Sequence, residues 1–511
     1  MLQFENQEFN ENQEFNMATL AQPPVTLGET LLYIDGEMRP AEGHKTYDNV
    51  GPWNRQVIGQ AADASAKDVS DAIAAARRAF DATDWSTNHA KRIGLLKKLY
   101  DLFVANSARL EQLARDEAGA TPFIARYVQV QSALGGYRDL LDAFEKIEWR
   151  EDRGARGPDG ARTQRILIRE GAGVVGAITP FNVPFYCPIE KVVSALLAGC
   201  TVVFKPAPDT PALGAIWGEL AIEAGFPAGV LNVVTGAAPE LGEMLVTDPR
   251  VDLVSFTGSS AVGKLIMEKG APTLKRILLE LGGKSAKIIL DDVEDFAGEV
   301  ASSIITGHSG QGCTTRSRLL VPRGRYDEAV RILEQAYAAY DGKWGHYDDP
   351  QDAMGPVISR RQMERIKAGI DLAVQEGARL LAGGGIPSYK DGFFIEPTCF
   401  VDVTGDMTIA REEVFGPVLV VMPYEDEDDA VRIANDSEYG LSGEISSGNT
   451  DRAIALAERF RSGTVSINGG RCVDGDIPFG GYKSSGLGRA WGVEGIEEYT
   501  ETKIVAYRIP A

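Results

Sequence analysis

The sequence predicts an α/β protein with two doubly wound domains and a small β appendage. Strand-like and helix-like segments alternate between Gly173 and Leu290, and again from Arg318 to about Ile467. Such alternation is typical of a parallel sheet with helices on both faces. The length of 511 residues exceeds what one compact core usually contains, so it also indicates more than one domain.

The chain begins with the polar hexapeptide ENQEFN, which occurs twice within the first sixteen residues. This repeat has too little apolar surface to fold alone, so we predict that residues 1–16 are disordered or are an extension placed before a start at Met17. Short strand-like pieces follow over about 31–52. Apolar residues at three- and four-residue spacing then predict helices over 66–80, 89–106, 108–117 and 127–144.

The strands of the two sheets are predicted from apolar segments bounded by turn residues. For the first sheet these segments are GVVGAIT (173–179), CTVVFK (200–205), VLNVVT (230–235), VDLVSFT (251–257) and KSAKIIL (284–290). For the second they include SRLLVP (317–322), PVLVVMPY (417–424) and GTVSIN (463–468).

Two further segments predict the appendage. A polar connection over 150–162 leads to the half-exposed segment RILIRE (165–170), and the chain ends in KIVAYRI (503–509). We expect these two segments to form a two-stranded unit whose apolar edges pair with another subunit.

Composition argues against several classes of function. Hydrophobic residues make up 44% and charged residues 24%, as in ordinary soluble proteins. No apolar run approaches the roughly 20 residues of a membrane span, and the N-terminus lacks the features of a secretory signal, so we expect a cytoplasmic protein. The net charge of −21 disfavours nucleic acid as a partner. Five scattered cysteines and four unclustered histidines predict neither a disulfide framework nor a metal site.

Two glycine-rich segments are candidates for phosphate binding. Gly171–Gly176 (GAGVVG) matches GxGxxG, but a strand-like segment and two prolines follow where a helix is required, so we interpret the match as coincidental. Phe256–Gly263 (FTGSSAVG) lies between a predicted strand and a predicted helix, where Gly258 and Ser259 would offer N–H groups to an anion. An ordinary strand–turn–helix connection explains this second motif equally well.

Three stretches carry groups suited to covalent catalysis: a carboxylate before two glycines in ELGGK, a cysteine on a turn of small residues in GQGC, and an amide between prolines in TPFNVPF. With these, the chain from about 31 to 504 resembles the aldehyde dehydrogenase superfamily. The resemblance rests on TPFNVPF (179–185), KPAPDTP (205–211), FTGSSAVG (256–263), ELGGK (280–284), GQGC (310–313), EEVFGPV (412–418), NDSEYGLSG (435–443) and PFGGYKSSGLGR (478–489).

The resemblance implies oxidation of an aldehyde to a carboxylic acid by NAD or NADP. The Cys313 thiolate would add to the aldehyde, because a free carbonyl carbon has no suitable hydride to give. The Asn182 amide and the Cys313 N–H would stabilise the oxyanion. Hydride transfer would leave a thioester, which water activated by Glu280 would hydrolyse, with Lys191 supporting the site from close by.

The resemblance also implies cofactor contacts. Lys205 and Glu413 would bond the two riboses, and Phe415 would pack near the nicotinamide ribose. The implied set is Ile178, Thr179, Pro180, Phe181, Asn182, Lys205, Pro208, Gly236, Gly242, Phe256, Thr257, Gly258, Ser259, Val262, Glu280, Leu281, Gly282, Cys313, Glu413 and Phe415.

One position departs from the pattern of many NAD-using members. Pro208 stands where those members have a glutamate that binds the adenosine ribose and repels a 2′-phosphate. NAD and NADP therefore both stay open, and we favour NAD, with the neighbouring Asp209 as a source of repulsion.

If the aromatic residues near the motifs line the substrate channel, they favour an apolar aliphatic or aromatic aldehyde. The alternative is that these residues pack the core. These residues are Phe181, Phe185, Tyr186 and Phe479, with Cys187 and Cys472 as candidates for the channel border. The charged residues that would change the preference are Arg138, Arg316, Arg471 and Asp474.

The resemblance implies a division into domains. A cofactor-binding domain would comprise 17–150 and 171–290, a catalytic domain 291–480, and oligomerisation segments 151–170 and 490–511. We expect a homodimer or homotetramer.

Three rival functions remain to be compared. A CoA-acylating dehydrogenase characteristically lacks the general-base glutamate, so Glu280 argues against it. A cysteine hydrolase or acyltransferase would leave the cofactor motifs unexplained, and no histidine motif accompanies Cys313. A binding protein that lost catalysis has no reason to retain Asn182, Glu280 and Cys313 together.

Overall fold

The computed structural model describes residues 27–158, 162–352, 354–388 and 390–509, so the predicted extension at 1–16 lies outside the described residues. Across these residues the strands form four sheets. The α-helices are Ala66–Ala82, His89–Ala105, Ser107–Ala118, Ser132–Lys146, Tyr186–Pro188, Ser194–Ala198, Pro211–Ala224, Pro239–Thr247, Ser260–Gly270, Phe296–Ala301, Tyr326–Tyr340, Arg360–Gln375, Thr408–Arg411, Glu427–Asn435, Thr450–Ala457 and Gly492–Glu497. Two segments are π-helical: Ile124–Gln131 and Ile189–Val193.

The larger sheet has eight strands in the described chain. Their order is Gly486–Leu487, Arg276–Glu280, Leu253–Thr257, Val174–Ile178, Thr201–Lys205, Leu231–Val233, Leu32–Ile34 and Glu37–Arg39. The five strands from Arg276–Glu280 to Leu231–Val233 are parallel. Val175 packs in one apolar cluster and Val174 in another, so both faces of the sheet are covered. The doubly wound plan predicted for this region is confirmed.

One predicted strand belongs to the other sheet. The segment KSAKIIL forms Ala286–Ile289, which pairs with Arg318–Pro322 and Gly443–Ser446 rather than with the first sheet. The strand next to Leu253–Thr257 is instead Arg276–Glu280, which the sequence reading did not identify. Strand sequences report burial but not partners, so an apolar run cannot indicate which sheet it joins.

The second sheet has seven strands in the described chain. Their order is Arg379–Ala382, Thr398–Val401, Val418–Tyr424, Arg318–Pro322, Ala286–Ile289, Gly443–Ser446 and Ser466–Ile467. Leu319 and Leu320 pack in separate clusters on its two faces. A smaller sheet near the N-terminus contains Glu29–Thr30, Val57–Ala62 and Thr46–Val50.

The fourth sheet, here called the terminal sheet, corrects two expectations. Its order in the described residues is Thr500–Arg508, Thr163–Gly171, Arg150–Arg156, so it has three strands rather than two. The polar segment predicted as a connection supplies the third strand, because solvent-facing strands need no apolar side chains. RILIRE lies in the central strand, and therefore cannot offer the free edge that was expected of it. KIVAYRI lies on an edge, with Ile504, Val505 and Tyr507 exposed.

In the part of the chain that the structure describes, no helix is both long and apolar enough to cross a membrane. The GAGVVG glycines lead into Val174–Ile178, a strand, and no helix directly follows it, which confirms that this is not a dinucleotide fingerprint.

Candidate active site

The predicted residues of the first sheet collect at one edge. Four neighbouring parallel strands end in Ile178, Lys205, Thr257 and Glu280. Ile178 is in register with Lys205, Thr257 is in register with Glu280, and the two pairs are offset by one residue. The carboxyl ends of parallel strands face the crevice in which α/β proteins bind ligands. These residues span more than 100 positions of the sequence, and the parallel pairing of their strands brings them together at one edge.

Cys313 lies on a turn before the strand Arg318–Pro322 of the seven-stranded sheet. The turn meets the segment after Glu280, because a Cβ atom added to Gly283 would overlap the Cys313 carbonyl oxygen. Gly283 therefore allows the close approach of ELGGK and GQGC, and the two motifs come together from different sheets.

Asn182 is buried, and its side-chain amide Nδ2 donates to the Gln311 carbonyl at 2.8 Å. Its own carbonyl accepts from Gln129 Nε2 at 2.7 Å and lies 2.7 Å from His308 Nε2. Burial lowers the pKa of His308 to about 4, so the ring is neutral near pH 7. These contacts hold the amide beside the cysteine turn. The role of Asn182 in catalysis stays a prediction.

The surroundings of Cys313 disfavour a thiolate. Desolvation raises the pKa of the thiol to about 12, and the carboxylates of Glu413, Glu280 and Glu190 add to the rise. A thiol in this state is protected from oxidation and alkylation until a cofactor, a substrate or a base changes its surroundings.

Glu280 is 7% exposed, and burial raises the pKa of its carboxyl well above the usual range. Glu190 raises it further, while Lys191 and Arg489 oppose the rise. Among the described residues its Oε2 atom has no hydrogen-bond partner. A buried carboxyl with a raised pKa and a free oxygen has the properties of a general base.

Lys191 and its neighbour form a buried ion pair that the sequence reading missed in part. Lys191 Nζ lies 3.3 Å from Glu190 Oε1, and the two side chains are 3% and 4% exposed. The sequence does carry a sign of this pair, because Glu190 and Lys191 are the two charged residues of the otherwise uncharged segment 180–204.

The residues predicted to contact the cofactor surround this edge of the sheet, here called the cradle, and their contact with a dinucleotide stays a prediction. Lys205 Nζ donates to the Gly236 carbonyl at 3.4 Å, and burial lowers its pKa to about 8. The hydroxyl of Thr179 is buried without a partner among the described residues. At the other end Glu413 accepts from Gly283 N–H at 3.0 Å.

The phosphate candidate has the predicted geometry. The strand Leu253–Thr257 leads through Gly258 to the helix Ser260–Gly270, whose N-cap is Ser259. Ser259 Oγ accepts from Val262 N–H at 3.4 Å, and Val262 is exposed. An eleven-residue helix with an accessible N-terminus can hold an anion.

The other predicted contacts lie around this cradle. Leu281 packs against Gly263, and Gly242 lies near Ile178 and Lys205. Glu413 occupies the space that a side chain on Gly282 would need. Pro208 lies in the loop after Thr201–Lys205 and is half-buried, like Pro180. Phe256 is buried in the apolar cluster under the same sheet.

The aromatic residues divide into two groups. Phe185 is fully buried and packs against Phe103 and Trp217, so it belongs to the core and not to a channel wall. Phe181 packs edge-on against Phe415, with ring centroids 5.9 Å apart, beside the predicted cofactor site. Of the remaining pair, Tyr186 is partly buried and packs against Trp491, and Phe479 is buried.

The two candidate cysteines differ in exposure, and all the charged candidates have partners. Cys187 is buried, whereas Cys472 is partly exposed. The charged residues considered for the channel are paired with neighbours: Arg138 with Asp139, Arg316 with Glu444, and Arg471 with Asp474.

Comparison with known proteins agrees with this geometry. The model of the aldehyde dehydrogenase family matches residues 38–505. The 3-succinoylsemialdehyde-pyridine dehydrogenase of a Pseudomonas species is 40% identical over 481 residues, which are 93% of this chain and 97% of that protein. Aldehyde dehydrogenase 1 of Tanacetum cinerariifolium is 38% identical over 482 residues, 93% and 94% of the respective chains.

Solved structures agree as well. An aldehyde dehydrogenase of Mycobacterium tuberculosis complexed with NAD+ is 40% identical with a TM-score of 0.88, covering 94% of this chain and 98% of that one. The NAD-dependent aldehyde dehydrogenase of Sinorhizobium meliloti is 36% identical with a TM-score of 0.89, covering 94% and 96%. The predicted fold class is confirmed. This chain belongs to the aldehyde dehydrogenase family, and it is an aldehyde dehydrogenase.

Proposed function

We propose that the enzyme oxidises an aldehyde to a carboxylic acid through a thioester on Cys313, with water as the final acceptor of the acyl group. The observation that carries the proposal is the contact of the Glu280 and Cys313 segments across two sheets, beside the Asn182 amide. A nucleophile, a base and an oxyanion donor are the three groups that acyl transfer needs.

The first step is addition of the Cys313 sulfur to the aldehyde carbonyl carbon. The thiol proton leaves to solvent as the C–S bond forms. The carbonyl oxygen becomes an oxyanion, which the Asn182 amide and the Cys313 N–H stabilise. To bind the oxyanion, the amide exchanges its hydrogen bond with the Gln311 carbonyl for one with the substrate.

The second step is oxidation of this thiohemiacetal. Bound NAD supplies the hydride acceptor, for which we assign Lys205 and Glu413 as ribose contacts and the Ser259 helix start as the pyrophosphate contact. The protein's task is to hold the reacting carbon still and to exclude water. When hydride leaves, the oxyanion electrons form the carbonyl of the thioester.

The third step is hydrolysis. Glu280 takes a proton from water while the water oxygen bonds to the thioester carbon. The C–S bond then breaks, and the sulfur departs as a thiolate. A carboxyl whose pKa is raised well above its usual range takes up this proton near neutral pH more readily than an ordinary glutamate.

We favour NAD over NADP as cofactor. Two relatives of known structure are described as NAD-binding or NAD-dependent, which supports the choice. Asp209, half-buried and close enough to Lys205 to affect its pKa, adds negative charge beside the adenosine end. A negative charge there disfavours a 2′-phosphate.

We propose an aliphatic or aromatic aldehyde as substrate. The support is Phe181 beside Phe415 and the partly exposed Tyr186 near the site. One relative is named for a semialdehyde that carries a pyridine ring, which fits the aromatic part of this range. We also propose a homo-oligomer, a dimer or a tetramer, on the basis of the exposed apolar edge of the terminal sheet.

The test is reduced-nicotinamide formation from a panel of aldehydes, with NAD and NADP in parallel and with CoA present or absent. We expect CoA-independent turnover by the native enzyme and none by Cys313→Ala. Glu280→Gln should give a rapid burst of about one reduced nicotinamide per subunit and then stall, because the thioester is not hydrolysed. Full turnover by Cys313→Ala would overturn the proposal. Turnover that requires CoA would favour the acylating alternative.

A further inference from the structure

The ion pair of Glu190 and Lys191 lies inside the active site but has no assigned role. Both residues belong to the π-helical turn Ile189–Val193, a backbone form that occurs often at functional sites. They are buried in the first sheet's apolar surroundings, where an ion pair is generally no more stabilising than apolar residues of the same size. Stability therefore does not account for this buried ion pair, and we look for a role in catalysis.

Glu190 is connected to the general base through the sheet. Thr257 Oγ1 donates to Glu190 Oε1 at 3.5 Å. Thr257 is in register with Glu280 on the neighbouring strand, and the Gly258 N–H after it donates to the Glu280 carbonyl at 3.0 Å. Thr257 and Glu280 therefore lie side by side at the ends of adjacent strands. Glu190 contacts Thr257 and Lys191 and so lies close to this strand end.

Lys191 has two carboxylates within electrostatic reach. Glu190 and Glu280 both raise the pKa of its ammonium, and Tyr499 and Cys187 act in the same direction. Of these groups in the described chain, Glu190 forms an ion pair with Nζ, at 3.3 Å. Without the Glu190 charge, the buried ammonium would lack its partner, and the Glu280 carboxylate would be the other acid that acts on it. An acid paired in this way is a weaker base.

We propose that Glu190 is a positioning residue: by pairing with Lys191 it prevents the ammonium from neutralising Glu280, and so keeps Glu280 basic enough to activate water for thioester hydrolysis. This inference rests on the proposed function. Glu190 acts through charge alone. In the hydrolytic step Glu280 receives the proton from water, the water oxygen bonds to the thioester carbon, and the sulfur leaves, while Glu190 takes no proton.

The charged groups that act on Glu280 come from several elements. Glu190 and Glu498 raise the pKa of its carboxyl, and Lys191 and Arg489 lower it. The main-chain N–H of Arg489 donates to Glu498 Oε1 at 3.2 Å, while its guanidinium Nη1 donates to the Gly488 carbonyl at 2.7 Å. Burial, the largest cause of the raised pKa, and Glu498 still oppose Lys191 and Arg489 when the Glu190 charge is removed, but the pKa of Glu280 falls because one of its raising charges is lost.

The test is the pH dependence of hydrolysis in Glu190→Gln, which keeps the shape of the side chain but removes its charge. Rapid mixing from pH 5 to 9 separates the burst of reduced nicotinamide from the later steady rate, which reports thioester hydrolysis. We expect the burst to remain and the pH of half-maximal hydrolysis to fall by about one unit. Above that pH the steady rate should fall by about three- to tenfold, because the base is weaker.

Four variants complete the design. Glu190→Asp retains the charge and should keep the native profile, and Glu223→Gln removes one charge from an exposed helical site and should change nothing. If Glu190→Gln does not fold, Thr257→Val removes the hydroxyl that holds Glu190 and should shift the profile in the same direction, with Thr257→Ser restoring it.

The outcomes separate the inference from the proposed function. A Glu190→Gln profile superimposable on the native one, while Glu280→Gln stalls after its burst, would overturn the inference and leave the hydrolytic mechanism standing. Undiminished turnover by Glu280→Gln would show instead that the mechanism itself is wrong.

Discussion

The Asn182 side-chain amide donates to the Gln311 main-chain carbonyl at 2.8 Å, two residues before Cys313. The bond joins the loop after the strand Val174–Ile178 to the turn before Arg318–Pro322, and so connects the two large sheets at the candidate site. We predict that Asn182→Ala lowers kcat by roughly 10²–10³, because the oxyanion loses a donor. Reduced-nicotinamide formation at saturating aldehyde measures the loss. An unchanged melting temperature with unchanged kcat would exclude Asn182 as an oxyanion donor.

The reactivity of Cys313 tests its electrostatic surroundings. Since the pKa of the thiol is raised to about 12, its alkylation by iodoacetamide should accelerate about tenfold for each pH unit between 7 and 10. Glu413→Gln removes the largest electrostatic cause, so the pKa falls and alkylation at a given pH becomes faster. Peptide mass spectrometry assigns the label to Cys313. The exposed Glu412→Gln is the matched control, and an equal acceleration in both variants would contradict the prediction.

Asp209 is expected to set the choice between the two cofactors. Its replacement by Asn removes negative charge beside the adenosine end, so kcat/KM with NADP should rise relative to that with NAD by about tenfold. Asp101→Asn, an exposed helical site, is the matched control. A ratio that does not change in Asp209→Asn would indicate that the cofactor preference has another source.

A buried glutamate caps a helix from another part of the chain. Glu117 accepts from the Ala212 and Leu213 N–H groups at 2.8 and 2.9 Å, at the start of the helix Pro211–Ala224, and from Asn49 Nδ2 at 2.5 Å. We predict that Glu117→Ala lowers the free energy of unfolding by about 2–4 kcal/mol, because buried donors lose their acceptor. Denaturant unfolding monitored by fluorescence measures the change, and Glu223→Ala serves as the exposed control. A loss no larger than that of the control would contradict the capping role.

The free edge of the terminal sheet is expected to hold subunits together. Ile504 is 57% exposed on the strand Thr500–Arg508, so Ile504→Lys should lower the mass in solution toward that of one chain. Light scattering after size-exclusion chromatography gives that mass. Leu274→Lys is the matched control, since Leu274 is 92% exposed and lies outside this strand. An Ile504→Lys protein of native mass would show that the edge is not the interface.

The local order of strands and helices could be predicted, whereas several partners could not. The apolar segment at 284–290 reads as a buried strand, and it is one, but its place in the seven-stranded sheet depends on residues 318–322 and 443–446. The polar strand Arg150–Arg156 shows no alternation of apolar residues, because it pairs at the edge of a small sheet with little core beneath it. Both misreadings arise because a pairing partner leaves no mark on the strand itself.

By itself, the sequence determined the chemical groups that this protein can use. Cys313, Glu280 and Asn182 stand in short motifs, and the alternation of strands and helices established the α/β class. Only the tertiary structure decided that Glu190, Lys191 and Thr257 meet beside Glu280, and that the strand Arg150–Arg156 pairs with the other side of RILIRE. A motif is local and can be read from neighbouring residues. Burial, charge coupling and strand pairing are not local, because they arise only when distant segments are packed together.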